Sequence, residues 1–237
     1  MRLAKHDIEK IESASLVEGL EIISAFFPQN VVFSSSLGQE DQVLTDAIFK
    51  NNLPIKIFTL DTGRLFNETY ELLERTTARY KKPIQVYFPD AHDVEEFVVT
   101  RGINSFYESV ENRKECCNIR KVKSLNRALQ GAEVWITGLR AEQSDNRKEM
   151  SMIEWLEDKQ LYKFNPLLKW TSADVMGYIK EFYVPYNPLH DKGFLSIGCA
   201  PCTRAIEAGE DPRAGRWWWE TSQKECGLHV QPTETLK

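Results

Sequence analysis

A chain of 237 residues with 42% apolar and 27% charged residues has the composition of one globular α/β domain with appendages, and no apolar run is long enough to cross a bilayer. Its net charge of −5 denies it the basic surface on which non-specific nucleic-acid binding depends, yet is compatible with a small anion held by a few local arginines. Residues 1–28 mix acids and bases and lack the continuous apolar stretch and cleavage site of a secretory signal, so a cytoplasmic protein with reduced thiols is expected.

In chain order, Ile8, Ile11, Leu16, Leu20 and Ile23 recur at helical spacing and predict an N-terminal helical region. Val31-Val32-Phe33 predicts a first strand. It runs into Ser34-Ser35-Ser36-Leu37-Gly38-Gln39-Glu40-Asp41 and then a helical pattern through Val43, Leu44, Ala47 and Ile48. Strand, small-residue loop and helix is the order that presents backbone N–H groups and a helix dipole to a phosphate, although serine-rich turns also start helices that bind nothing. Residues 55–60 predict a second strand, ending in Asp61-Thr62-Gly63 before a helix over 65–80; Asp or Thr there is most often only a cap. Further strands are expected over 84–88 and 134–137, the latter followed by Gly138-Leu139-Arg140. Strands alternating with helices imply a doubly wound, mostly parallel sheet, whose ligands bind beyond the C-terminal strand ends. Between these last two strands lies a helical region, 93–130. Past Met150 the pattern loosens: 162–168 predicts a strand, and Thr171-Ser172-Ala173-Asp174 a capping box opening a helix that stops before Pro185. One domain is expected, with 1–195 as its nucleotide-binding part, including the Cys116-Cys117 helix, and 196–237 as a functional tail.

The five cysteines need a chemical explanation. Cys199 and Cys202 form a Cys-x-x-Cys on a Pro/Gly loop, and Cys116 and Cys117 stand side by side. Adjacent cysteines suit a zinc site poorly, while a larger iron–sulfur cluster can span them; plain reduced thiols are the third possibility. Cys226, in Lys224-Glu225-Cys226-Gly227-Leu228-His229, is unpaired, and nearby cations favour the thiolate that a nucleophile needs. Arg204, Arg213 and Arg216, with Lys192, crowd the same tail and suit an anion. Trp217-Trp218-Trp219 is better read as pinning the tail than as stacking a base, and His190 as structural.

Taken together, Glu115-Cys116-Cys117-Asn118-Ile119-Arg120-Lys121, Leu60-Asp61-Thr62-Gly63-Arg64, Thr137-Gly138-Leu139-Arg140, Leu189-His190-Asp191-Lys192-Gly193, Ile197-Gly198-Cys199-Ala200-Pro201-Cys202-Thr203-Arg204, Gly215-Arg216-Trp217-Trp218-Trp219-Glu220 and the terminal Glu-Cys-Gly-Leu-His resemble the assimilatory sulfonucleotide reductases, specifically the bacterial adenylyl-sulfate (APS) reductases that use thioredoxin. The resemblance covers about Val31 to His229. It implies an adenine nucleotide α-hydrolase-like (PP-loop) fold with a cysteine-bearing tail, a [4Fe–4S] cluster on Cys116, Cys117, Cys199 and Cys202, and Cys226 as nucleophile. It makes 34–41 a degenerate relative of the phosphate loop of ATP pyrophosphatases, with Leu37 where glycine is expected and Glu40-Asp41 where Asp-Ser is. Substrate contacts are expected from Ser34, Ser35, Ser36, Gly38, Asp41, Asp61, Thr62, Lys121, Gly138, Arg140, Arg147, Arg213, Arg216 and His229.

The implied reaction converts APS to AMP and sulfite through an S-sulfocysteine, with thioredoxin as reductant and a tail that opens after about Gly209. A homo-oligomer is expected, with no nucleic-acid or membrane partner. Acceptance of the 3′-phosphorylated substrate (PAPS), an ATP-dependent sulfurtransferase of the same superfamily, and a non-enzymatic nucleotide-binding regulator are the alternatives.

Overall fold

The computed structural model describes residues 2–143, 147 and 149–220. Its strands are β1 (Val31–Ser34), β2 (Lys56–Leu60), β3 (Gln85–Tyr87), β4 (Val134–Ile136), β5 (Ile153–Leu156) and β6 (Leu161–Phe164). They form one six-stranded sheet in the order β3-β2-β1-β4-β6-β5. β1 runs parallel to β2 and β4, β4 parallel to β6, and only β5 antiparallel, against β6. The expected mostly parallel α/β sheet is therefore present. Chain order reverses between β1 and β4, so the loops leaving those two strands flank the switch point at which such sheets bind ligands.

The chain divides into two compact units, each assembled from three separated stretches. The first comprises 1–59, 68–85 and 131–187 and holds most of the sheet. Val31 and Phe33 of β1, Ile57 of β2, Val134 and Ile136 of β4 and Phe164 of β6 join one buried core with Leu44 and Ile48 of helix α3 (Gln39–Lys50). Strands covered on both faces read as continuous apolar runs, which is why β1 and β4 stood out in the sequence.

Two features differ from the sequence reading. The N-terminal helical region is two helices, α1 (Lys5–Ser13) and α2 (Leu16–Phe26), because Ser15 starts a new one: its N–H donates to Glu18 Oε2 at 3.0 Å in a capping box. β5 was not foreseen; its short hairpin with β6 turns through Gln160 at φ 53°. The capping box at Thr171 is present as expected, Thr171 Oγ1 accepting from the Asp174 N–H at 3.1 Å, and opens α8 (Ser172–Glu181).

The second unit comprises 60–67, 86–130 and the chain from 188 onward. The helical region 93–130 resolves into α5 (Ala91–Arg101), α6 (Val110–Cys117) and α7 (Lys123–Ala128), with a π turn, Asn118–Val122, joining the last two. Its core is Phe97, Phe106, Ile119 and Trp217 packed with Cys116, Cys117 and Cys202. Among the described residues no helix is long and apolar enough to cross a membrane.

Candidate active site

In the first unit, the loop between β1 and α3 folds onto itself. The N–H and hydroxyl of Ser36 both donate to Asp41 Oδ2, at 2.5 and 2.6 Å. The Leu37 N–H donates to Ser35 Oγ at 3.1 Å, and the Gly38 N–H to Ser36 Oγ at 3.4 Å. Leu37 adopts the left-handed region (φ 61°), so the loop keeps the backbone shape for which glycine was expected. Ser34 Oγ accepts from Trp135 Nε1 at 2.8 Å. Asp41 is buried, and that burial raises its carboxyl to about 7, with neighbouring Glu40 adding to the effect and the Ser36 hydrogen bonds opposing it. Gly138 lies directly against this carboxylate, and a Cβ there would overlap Asp41 Oδ1.

Arg140 is buried in ion pairs with Glu40 (2.9 Å) and Glu142 (2.6 Å), and also donates to Ser172 Oγ at 3.0 Å. Gln143 Nε2 donates to the same Glu40 oxygen at 3.0 Å and its carbonyl accepts from Arg147. Arg140 and Arg147 therefore form one network with Glu40 around the loop.

The second unit collects the four paired cysteines. α6 carries Cys116 and Cys117 at its last turn, and the π turn then rotates Arg120 and Lys121; π turns interrupt helices most often at functional sites. Cys199 and Cys202 flank a one-turn 3₁₀ segment, closed by the Cys202 N–H donating to the Cys199 carbonyl at 2.9 Å. The four thiols, none disulfide-bonded, line one cleft with Arg64, Arg113, Arg120 and Lys121 at its walls. Among the described residues, no carboxylate lines it. Among the described residues, no group of three or more His, Cys, Asp or Glu side chains is set to hold a metal ion as it stands.

The electrostatics of the thiols differ. Burial opposes ionisation of Cys199, but Lys121, the Thr62 hydroxyl, Arg216 and Arg120 together bring it below the usual thiol range. Cys202 is pushed up to about 12 by burial and by Cys199 and Cys117. Four thiols this close cannot all ionise without positive charge between or around them.

Asp61 and Thr62 do not cap the following helix, α4 (Asn67–Tyr80). Asp61 Oδ1 accepts from the Gly63 N–H at 2.7 Å, while Thr62 Oγ1 lies 3.3 Å from Cys199 Sγ and its carbonyl accepts from Arg120 at 2.7 Å. Arg216 stacks on Trp217 with its guanidinium 4.7 Å from the ring centroid and reaches Ser196 Oγ at 3.4 Å. The Arg213 N–H donates to Asp211 Oδ1 at 2.8 Å. Arg204, grouped with these cations in the sequence, is bound to Glu210 at 2.9 Å. Cys226 and His229 lie outside the described residues. The tryptophans pin this segment, as expected: Trp217 is buried, and Trp219 packs on Tyr107 at 4.4 Å between centroids.

Sequence reasoning missed Arg64, Arg113 and Arg120 as walls of the thiol cleft. Arg120 was signalled by its place three residues after the tandem cysteines; Arg113, fully buried and bound to Glu220, had no local signal.

Comparison with known proteins places the chain in a family. A family model described as the phosphoadenosine phosphosulfate reductase domain matches residues 30–205. A Burkholderia cepacia protein named adenosine 5′-phosphosulfate reductase is 51% identical over 223 residues, covering 92% of this chain and 89% of the relative. An Allochromatium vinosum protein of the same name is 52% identical over 201 residues, 84% of this chain and 78% of that one. Among solved structures, phosphoadenylyl-sulfate (PAPS) reductase from Candida auris, in a phosphate complex, superposes with a TM-score of 0.73 at 30% identity, over 87% of this chain and 99% of that one. A Candida glabrata FMN adenylyltransferase, at 16% identity and TM-score 0.54 over 96% of this chain and 77% of that one, shares the fold alone. With the family model spanning most of the chain and relatives at half identity along nearly its whole length, the chain belongs to the phosphoadenosine phosphosulfate reductase family.

Proposed function

We propose that this family member, an oxidoreductase acting on sulfur, reduces adenosine 5′-phosphosulfate to sulfite and AMP in sulfate assimilation, with Cys226 as nucleophile and thioredoxin as electron donor. The observation that carries the reading is the meeting of Cys116, Cys117, Cys199 and Cys202 on one cation-walled cleft, in a chain half identical to proteins named for that reaction.

Those four cysteines would hold a [4Fe–4S] cluster, and the donor set fits one. Four thiols line open space, cations surround them, and no carboxylate competes. Trp217 Nε1 is a buried N–H without a hydrogen-bond partner in the same core, the kind of donor that bonds to a sulfur. When bound, the cluster supplies fixed charge and holds the two cysteine segments together.

The Cys226 thiolate attacks the sulfate sulfur of the substrate. The bond from that sulfur to the bridging oxygen breaks, and AMP departs with the electron pair. The product is an S-sulfocysteine on Cys226. One thiolate of reduced thioredoxin then attacks Cys226 Sγ, and sulfite leaves with the electron pair of the sulfur–sulfur bond. The second thioredoxin thiol resolves the mixed disulfide and returns Cys226 as thiolate, so two electrons pass from the dithiol to sulfur. Lys121, Arg213 and Arg216 offset the negative charge that would otherwise repel the incoming thiolate. Asp61 and His229 join them as proposed substrate contacts. A cytoplasmic setting, with its reducing thiol pool, suits both the thiols and the donor.

Anaerobically purified protein should contain about four iron and four labile sulfide per chain and release sulfite and AMP in equal amounts from APS with reduced thioredoxin. Absence of sulfite from cluster-loaded protein would refute the reaction. The family model and the Candida auris structure, both named for the 3′-phosphorylated substrate, favour PAPS as a second reading; kcat/KM for the two substrates decides between them.

A further inference from the structure

The loop that should cradle a phosphate has its amides already engaged. Three successive N–H groups, of Ser36, Leu37 and Gly38, point inward to Asp41 Oδ2, Ser35 Oγ and Ser36 Oγ. In a phosphate-binding loop such a run of amides faces phosphoryl oxygens. The backbone shape of such a loop is retained, at the cost of a leucine in the left-handed region. What has changed is the occupant.

We infer that Asp41 is an internal stand-in for a phosphoryl group: it fills the anion seat of the loop and makes Asp41 a specificity determinant against nucleotides that carry a polyphosphate chain. The inference rests on the reading that this loop faces the nucleotide.

The alternative is an ordinary capping acid, and this chain supplies the comparison. Glu18 and Asp174 occupy the third position of their helices and reach back to the capping residue itself, Ser15 and Thr171. Both lie at the surface, and hydrogen bonds hold both below the usual carboxylate range. Asp41 also occupies the third position of its helix, behind the capping residue Gly38. Its oxygen passes over Gly38 and binds Ser36, two residues further back, at a seat where it is only 7% exposed. Gly138, from the loop on the other side of the switch point, closes on its second oxygen so tightly that only glycine fits. Burying a carboxyl in this way is unfavourable for a cap, but it follows if the group replaces an anion. Glu40, in the next position, adds a second acidic group that Arg140 neutralises. Among the described residues, no cation pairs with Asp41 through any hydrogen bond or ion pair. A nucleotide's second and third phosphoryl groups would therefore meet a carboxyl where they need donors.

The test is calorimetric titration of the full, anaerobically prepared chain with AMP, ATP and inorganic pyrophosphate, for wild type, Asp41→Ser and Asp41→Asn. At pH 8, where the Asp41 carboxyl is ionised, wild type should bind AMP and take ATP at least about tenfold more weakly, since the extra phosphoryl groups meet a like charge. Asp41→Ser frees the Ser36 donors and should remove most of that gap and admit pyrophosphate. Asp41→Asn, which keeps the shape and an acceptor but not the charge, should recover part of it. The inference is overturned if wild type binds ATP as tightly as AMP. It is equally overturned if both variants keep wild-type AMP affinity and thermal unfolding while ATP still lags as before. A wild type that binds neither AMP nor APS fails earlier, and rejects the nucleotide reading on which the inference stands.

Discussion

The thiol of Cys199 and the hydroxyl of Thr62 lie 3.3 Å apart although 137 residues separate them. The contact joins the loop after β2 to the Cys-x-x-Cys turn, and the same turn is tied down where the Ala200 N–H donates to the Arg64 carbonyl at 2.8 Å. Thr62 and Arg64 therefore help set where Cys199 sits.

Removing that hydroxyl should loosen the ligand without removing it. Thr62→Val should still bind iron and sulfide in wild-type amounts, but its visible absorption should bleach several-fold faster in air. Thr62→Ser should restore the wild-type rate. Equal rates for all three would make the contact incidental.

Arg113 is buried at 1% side-chain exposure, against 4% for Glu220, and binds it through two nearly parallel hydrogen bonds of 3.0 and 2.9 Å. Its guanidinium also stacks on Trp217, 4.6 Å from the centroid. Leaving one partner of such a pair buried and alone costs about 3–5 kcal/mol. Arg113 keeps its interaction with Cys117, and glutamine keeps an acceptor, so Glu220→Gln should destabilise the protein by less than that, about 1–3 kcal/mol in urea unfolding. Arg113→Met combined with Glu220→Leu should recover part of the loss, because two apolar groups carry no desolvation debt.

Asp41 gives a pH dependence of defined sign. Its carboxyl ionises near 7 in the folded chain against an ordinary 3.8. The native state therefore holds this proton more tightly than the unfolded state. Stability from this group is present below about pH 4 and is lost as pH rises towards 7 and beyond, by at most about 4 kcal/mol. Asp41→Asn should be more stable than wild type at pH 8 and gain little or nothing at pH 4. Denaturant midpoints for the two proteins at both pH values measure this, and a constant difference between them would contradict it.

Leu37 sets two effects against each other. Its left-handed backbone costs about 1–2 kcal/mol relative to glycine, but its side chain is only 2% exposed and burial contributes about 2–3 kcal/mol. Leu37→Gly should therefore lose about 1 kcal/mol net, read as a lower urea midpoint. A gain would mean that strain outweighs packing in this loop.

Much of the first unit was legible because its signals are local. The apolar runs of β1 and β4, the small-residue loop at Ser34 and the capping box at Thr171 each sit within a few residues. Ser15 with Glu18 carried an equally local signal for the break between α1 and α2, obscured by the helical spacing that continues across it. β5 was hidden because Ile153-Glu154-Trp155-Leu156 is an edge strand with only Ile153 buried. The second unit was harder, since its core joins two stretches far apart in the chain, 86–130 and the part from 188 onward. That Cys116-Cys117 would meet Cys199 and Cys202 was implied by the family resemblance; the pairing of the thiols by itself left a cluster, a zinc site and plain reduced thiols open. That Arg113 would meet Glu220, or Thr62 meet Cys199, did not follow from any spacing. Arg140 shows the converse: it reads as an anion ligand in sequence, and only the structure places Glu40 and Glu142 on it.

The central claim is the covalent route through Cys226, and one labelling experiment tests it most directly. Cluster-loaded protein is incubated anaerobically with sulfur-35-labelled APS, without thioredoxin, beside Cys226→Ser, and both are run on a non-reducing gel. Label is expected on wild type, none on the variant, and its release as sulfite by reduced thioredoxin. Wild type that carries its cluster and binds APS but takes up no label would contradict it.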